Sequence, residues 1–346
     1  MALKDAPLTR EEVKSVVEGR GAARRVPASI HTWIYSPAYG DRAAEYQAML
    51  DRYPSDIELI IFGMPGLETG SFDVPEYRWL NAELPPRETS SGAIDSSGPL
   101  ANWDALPEIL RNFPSPSFPR AIPEAPPDKG MYRVGHWWYW LFERFWSIRG
   151  MENALCDFYD EPENVHKLFR ALTDFYKGVL TRGKKELNLD AIYTTDDIGT
   201  QTGTFFSLDI FREFFKPYYR ELIEHAHSLD MHFWLHSCGN IKDFIPDLIE
   251  IGLDVLHPIQ KYTMDESEIA KFIDGRLCVW AGMDMQRVMP YGSPEDVRRE
   301  VRFMIDTYNR KSGGLMITAG NGFTPDISLE NLEAFLDETL RYGTKK

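Results

Sequence analysis

His236 and Cys238 carry the sharpest chemical signal in the chain. They stand two positions apart in the extended stretch HFWLHSCGN, so their side chains project to the same side. An imidazole and a thiolate placed together are donors that a borderline cation such as zinc prefers. A bare His-x-Cys also arises by chance, and its bland reading is a packed histidine beside an inert buried thiol. Its place after an apolar strand and before a glycine shifts the balance toward a metal site. Asp196 and Asp197 form a second polar point. Adjacent residues of an extended segment face opposite ways, so one of the two can reach a site as ligand, general base or clamp for a cationic group. The bland alternative is a turn cap beside a solvated carboxylate. Asp284 holds the same position after another strand. His31 falls in a candidate first strand, where a satisfied core histidine is an equal reading. His136, with Trp137 to Trp140, is expected to open an aromatic helix and to pack in the core. Cys156 and Cys278 read as structural thiols.

These residues need elements to position them. Thr9 and Glu12 make a capping box before Val13, Val16 and Val17. Candidate strands follow at Ala28–Ile34 and Asp56–Phe62. A proline-dense tract, about 63–130, is too long for a plain loop and reads as an insertion over the site or a meander of short strands. Beyond it the rhythm is regular. A helix spans Pro162–Glu186, a strand Asp190–Thr195, and a helix runs from its cap at Ser207 to Ser228. A strand Met231–Leu235, a helix Ile241–Ile251 and a short strand Asp254–Leu256 follow. Then come a helix Asp265–Ile273, a strand Leu277–Ala281, a helix opened by Ser293-Pro294, a strand Leu315–Thr318 and a last helix from Ser328. Strands alternating with helices imply parallel strands with helical crossovers. No glycine-rich phosphate loop follows any strand, which disfavours a nucleotide-binding open sheet. The expected fold is a single (β/α)8 TIM barrel over residues 1–346, with an N-terminal helical extension of about 1–25 and the Pro-rich insertion. A barrel of this kind builds its site from the loops at the C-terminal strand ends.

Composition narrows the function classes. A net charge of −15 argues against nucleic acid, whose phosphates require basic residues in excess. Three cysteines make no disulfide framework and point to a reducing, cytoplasmic setting. No apolar signal core opens the chain and no run reaches membrane-spanning length. Aromatics reach 13%, enough for both a core and a pocket wall.

The stretches DDIGTQTGTFFSLDIFREFFKPYYRELIEHAH and HFWLHSCGNIKDFIPDLIEIGLDVLHPIQ resemble the uroporphyrinogen decarboxylase superfamily. Within it they are most similar to the decarboxylase-like branch grouped with corrinoid (cobalamin-dependent) methyltransferases. GMDMQRVMPYGSPEDVRREVR and ITAGNGFTPDISLENLEAF continue the likeness. The resemblance implies the (β/α)8 barrel and two competing chemistries. True uroporphyrinogen decarboxylases are cofactor-free and grip an acidic tetrapyrrole with an arginine motif after the first strand. The equivalent region here reads HTWIYSPAYGDR, without that motif. The methyltransferases hold zinc on a His-x-Cys pair, matched here by His236 and Cys238, plus a cysteine near the last strand. The last strand here leads instead to Ala319-Gly320-Asn321-Gly322. A third ligand then comes from Asp197, His257 or His31, or the metal is weak or lost. The expectation is a zinc-assisted methyltransferase moving a methyl group between a small donor or thiol acceptor and a partner protein's corrinoid. Asp196 and Asp197 are its expected catalytic carboxylates. His31, Tyr193, Gln201, His257, Gln260, Asp284 and Asn321 are expected to line its pocket. The alternatives are a metal-independent decarboxylase or lyase acting on another acid, and a non-catalytic corrinoid- or small-ligand-binding barrel.

Overall fold

A computed structural model describes residues 4–21, 23–30, 36–63, 100, 102–111, 113, 115–118 and 121–344. Helix α1, Arg10–Val17, starts at Thr9, whose side chain and Glu12 form the expected reciprocal capping box. Helix α2 is Ala43–Leu50, and β1 is Ile57–Ile61. Helix α3, Leu106–Arg111, precedes β2, Tyr132–Trp137. Helices α4, Phe142–Arg149, α5, Met151–Asp160, and α6, Pro162–Leu187, lead to β3, Ala191–Thr195. Ser207 caps α7, Leu208–Ile210, which runs through one π-helical turn at Phe211–Phe215 into α8, Lys216–Ser228. Then come β4, His232–His236, α9, Ile245–Glu250, β5, Val255–His257, α10, Glu266–Ile273, and β6, Cys278–Met283. Helices α11, Val288–Tyr291, and α12, Pro294–Tyr308, precede β7, Leu315–Ala319, and α13, Leu329–Gly343.

The seven strands pair in sequence order, all parallel. Pro27–Ser29 closes the ring. Ala28 bridges Ile317 in parallel, the Ser29 N–H donates to the Ile317 carbonyl (3.1 Å), and the Ile317 N–H donates to the Pro27 carbonyl (2.9 Å). On the other side the Asp56 N–H donates to the Ala28 carbonyl (2.8 Å). The fold is therefore the expected α/β TIM barrel, with Pro27–Ser29 in the eighth strand position. The rest of the expected first strand, from His31 onward, lies outside the described residues, as do residues 64–99 of the Pro-rich tract.

Strand parity sets the layers. Ile57, Tyr132, Val134, Ala191, Tyr193, Trp234, Val255, Cys278, Trp280 and Met316 fill the interior. Val13, Val16 and Val17 of α1 join them, so that α1 stoppers one end. Odd residues of β3 and even residues of β4 thus point inward, and the alternate residues pack under the outer helices. One expectation is corrected here. His136 and Trp137 belong to β2, and the following helix begins only at Phe142. A parallel strand buried on both faces reads as a continuous apolar run, which periodicity alone does not distinguish from a buried helix.

Candidate functional site

The polar residues converge at the C-terminal ends of β3, β4, β5 and β7. Inward parity carries past the end of β3 to Asp197 and past the end of β4 to Cys238. The Asp197 Oδ1 accepts the Cys238 N–H (2.7 Å), which ties the two loops together. The His236 Nε2 stands 3.3 Å from the Cys238 Sγ and 3.4 Å from the Asp197 Oδ1. The ligand atoms of Asp197, His236 and Cys238 all lie within 4.8 Å of one another. Close backbone passage makes this possible. Gly239 has φ +84°, and a Cβ there would sit 2.3 Å from the Gly199 carbonyl carbon, so the loops after β3 and β4 touch through two glycines.

The hydrogen bonds fix how His236 is presented. The His257 Nε2 lies 3.0 Å from the Ala319 carbonyl oxygen, which can only accept, so this nitrogen carries its proton. In a neutral ring the His257 Nδ1 is then an acceptor. It lies 2.6 Å from the His236 Nδ1, which must donate. His236 is left with the lone pair of Nε2 aimed at Cys238 and Asp197. Burial pushes the pKa of His236 down, against the opposing pull of Asp197, and so favours this neutral form. Burial pushes the Cys238 thiol up, and the charges of Asp197 and Glu143 add to the rise.

Two cavities meet at this cluster. The larger, about 210 Å³, is walled by His136, Trp138, Tyr139, Tyr193 and Thr195 and reaches Glu143, Asp197, His236 and Asn321. The smaller, about 60 Å³, lies against Cys238, Gln260, Lys261, Met285 and Asn321. Glu143 was not among the expected residues. Its Oε2 accepts the Thr195 hydroxyl (2.6 Å). Burial first, then the neighbouring Asp197 and Asp196 carboxylates, raises its pKa well above the usual range. A lone carboxylate in the first turn of the helix that follows the aromatic run was its signal. His136 was assigned to packing, and it is buried yet lines the larger cavity.

Several expected site residues stand elsewhere or act otherwise. Asp196 points outward and is fully buried. Its Oδ2 accepts the N–H groups of Leu141 (3.2 Å) and Phe142 (3.0 Å) and the Tyr219 hydroxyl, and its Oδ1 accepts the Glu143 N–H (2.8 Å). It caps α4 from a neighbouring strand rather than facing the cavity, and burial raises its pKa to about 6. His257 sits behind His236 with both ring nitrogens engaged, and it lines neither cavity. Asp284 borders the smaller cavity, but its carboxylate turns back to accept the N–H groups of Gln286, Arg287 and Val288 and the Tyr262 hydroxyl (2.6 Å). Gln201 lies exposed on a turn closed by the Thr200 N–H and the Gly203 carbonyl, away from both cavities. Tyr193 lines the larger cavity, Gln260 the smaller and Asn321 both. The Gln260 Oε1 also accepts the Gly239 N–H (2.6 Å). His31 lies outside the described residues.

A parallel (β/α)8 barrel with donors gathered at the C-terminal strand ends defines a class in which binding sites occupy that face. Comparison with known proteins gives the family. Residues 146–342, more than half the chain, match uroporphyrinogen decarboxylase (URO-D), and the chain belongs to that family. Among curated relatives, the uroporphyrinogen decarboxylase of Methylococcus capsulatus is 24% identical over 55% of this chain, and that of Xanthomonas oryzae pv. oryzae is 24% identical over 54%. The chain spans about half the length of these relatives, with 52% of each matched. Among solved structures, a methyltransferase from Methanosarcina mazei superposes over 97% of this chain and 99% of its own, with a TM-score of 0.61 and 14% identity. That likeness concerns the fold. Among the described residues no helix is long and apolar enough to cross a membrane.

Proposed function

We propose that this chain is a methyltransferase of the corrinoid-dependent type within its superfamily, with zinc held by Asp197, His236 and Cys238. One observation carries the reading: three donors of the kinds zinc takes gather within 4.8 Å of one another, and both edges from His236 match the separations a small tetrahedral ion requires. Zinc with bonds of about 2.0–2.3 Å to N, O and S gives donor-to-donor edges of roughly 3.3–3.6 Å. The edges here are 3.3 Å for His236 to Cys238 and 3.4 Å for His236 to Asp197. The His257–Ala319 relay behind His236 is the outer support such a ligand needs to hold its tautomer. Zinc, when bound, supplies Lewis acidity that lowers the pKa of a substrate thiol. Asp197 and Cys238 bring two negative charges that balance the dication. The aromatic walls of Trp138, Tyr139 and Tyr193 exclude water beside them. The methyl group passes between a small molecule in the larger cavity and a corrinoid carried by a partner protein.

The test is the metal content of the purified protein by elemental mass spectrometry, beside His236→Ala and Cys238→Ala. About one zinc per chain, lost in both variants, is expected from a site of this donor set. A wild-type protein that takes up no zinc even after incubation with it overturns the reading.

A second reading is favoured by one observation, the pairing of Glu143 and Asp197 across the larger cavity. A metal-free decarboxylase or lyase acting on another acid would use Glu143, held protonated, to donate a proton and Asp197 to stabilise a protonated intermediate. Carbon dioxide release from a candidate acid without corrinoid, lost in Glu143→Gln, would establish it.

A further inference from the structure

We infer that Asn321 supplies the fourth donor of the metal site through its side-chain oxygen, as a neutral ligand that an incoming thiol displaces. The inference rests on the zinc reading above and concerns the one tetrahedral corner that reading leaves open. The Asn321 Oδ1 lies 3.5 Å from the Cys238 Sγ. A sulfur-to-oxygen edge of a zinc tetrahedron is about 3.5–3.6 Å. Asn321 is also shared by the two cavities, facing Asp197 and His236 in the larger and Cys238 in the smaller. It therefore stands where the triad faces ligand space.

The fold ties this donor to the others. Asn321 follows β7 by two residues, and the last residue of β7, Ala319, gives the carbonyl that fixes His257 and through it His236. One strand end thus sets both the tautomer of one ligand and the position of another. Charge explains why an amide suits this corner. Asp197 and the Cys238 thiolate already neutralise a dication with a neutral His236. A further anion would give the site a net negative charge and bind more firmly. An amide oxygen adds no charge, is a harder donor than zinc prefers, and is the donor that a soft sulfur ligand most readily replaces.

The experiment measures zinc affinity by chelator competition and the visible spectrum of the cobalt-substituted full chain, for wild type, Asn321→Leu and Asn321→Cys. Asn321 is exposed, so both variants should fold, and thermal melting of each confirms it. Asn321→Leu, close in size but without a donor, should weaken zinc binding by at least about tenfold, the least that loss of an outer partner costs. It should also shift the cobalt d–d bands. Asn321→Cys should tighten binding and add a second sulfur-to-metal charge-transfer contribution. Titration with 2-mercaptoethanol should add that same contribution to the wild-type spectrum and leave the Asn321→Cys spectrum unchanged. Equal affinity and an identical cobalt spectrum in wild type and Asn321→Leu overturn the assignment while leaving the zinc reading standing. A wild-type chain that binds neither metal removes the zinc reading itself, and this assignment with it.

Discussion

Asp196 and Asp197 are neighbours in sequence, yet the barrel gives them opposite work, and exchanging each for asparagine separates the two roles. In Asp196 one oxygen accepts from Leu141, Phe142 and Tyr219 and the other from Glu143. Asparagine keeps one acceptor oxygen and turns an NH2 group toward the remaining donors. With the oxygen on the side of Leu141, Phe142 and Tyr219, the Glu143 N–H then meets another donor in a fully buried place. Loss of one charge-assisted hydrogen bond costs about 1.5–3 kcal/mol, and the weakening of the other three adds to it. A net loss of about 2–3 kcal/mol lowers the melting temperature by roughly 3–4 °C in a chain of this size. Asp197 is about 40% exposed at its side chain, and asparagine can still accept the Cys238 N–H. Asp197→Asn should therefore change stability by less than about 1 kcal/mol, as surface substitutions do. It replaces an anionic zinc donor by a neutral amide oxygen, so zinc affinity should fall by at least about tenfold, the least that loss of an outer partner costs. Calorimetry and chelator competition on both variants make the comparison. An Asp196→Asn protein that melts like wild type but binds no zinc would refute the parity argument and return Asp196 to the site.

Two further outcomes follow from groups away from the cavities. Asp56 is fully buried and accepts the N–H groups of Leu8 and Ala28 (both 2.8 Å) and a two-pronged contact from the buried Arg25, which pins α1 and the closing segment to β1. Asp56→Ala leaves the guanidinium with the half-exposed Asp5 as its remaining acidic partner, and urea unfolding should show a loss of about 3–5 kcal/mol; a loss below about 1 kcal/mol would show that Asp5 suffices. His227 donates to Asp254 (2.8 Å), and that bond raises its pKa. A raised histidine stabilises the fold fully below its unfolded value, near 6.5, and the contribution disappears as pH rises through the folded value. The gap in melting temperature between wild type and His227→Gln should accordingly be wider at pH 6 than at pH 8.5, and an equal gap at both would remove the ion pair from the account.

The regular half of the barrel was legible because each signal there is local. Thr9, Ser207, Ser293 and Ser328 announce helices through their own side chains, and all four cap as expected. His236 and Cys238 were legible for a similar reason, since a spacing of two in a strand settles their side without knowledge of the partner strand. What the sequence concealed depends on contacts far along the chain. Nothing near Asp196 reveals that α4, more than forty residues earlier, offers three N–H groups to it. Nothing near His257 reveals that the Ala319 carbonyl fixes its tautomer. Glu143 is hidden twice, in a run of aromatics that reads as core and in a carboxyl whose raised pKa comes from aspartates on another strand.

Those aspartates bear on which chemistry the barrel performs. Both decarboxylation of a polycarboxylated tetrapyrrole and methyl transfer are open to this architecture, and the charge of the cavity separates them. An acidic macrocycle needs arginine or lysine contacts, each worth about 1.5–3 kcal/mol as a charge-assisted hydrogen bond. Among the described residues, the wall of the larger cavity offers Glu143 and Asp197 and no lysine or arginine. Lys261 borders the smaller cavity, but its ammonium is already held by Glu266 and Glu300. A substrate bearing several carboxylates would therefore meet the Asp197 carboxylate and no compensating cation among the described residues. The volume of about 210 Å³ points the same way, being below the roughly 300–1,000 Å³ of sites for drug-sized ligands. A small, uncharged or cationic molecule suits both the size and the sign of the cavity, which supports the proposed methyl-transfer reading over the binding of an acidic macrocycle.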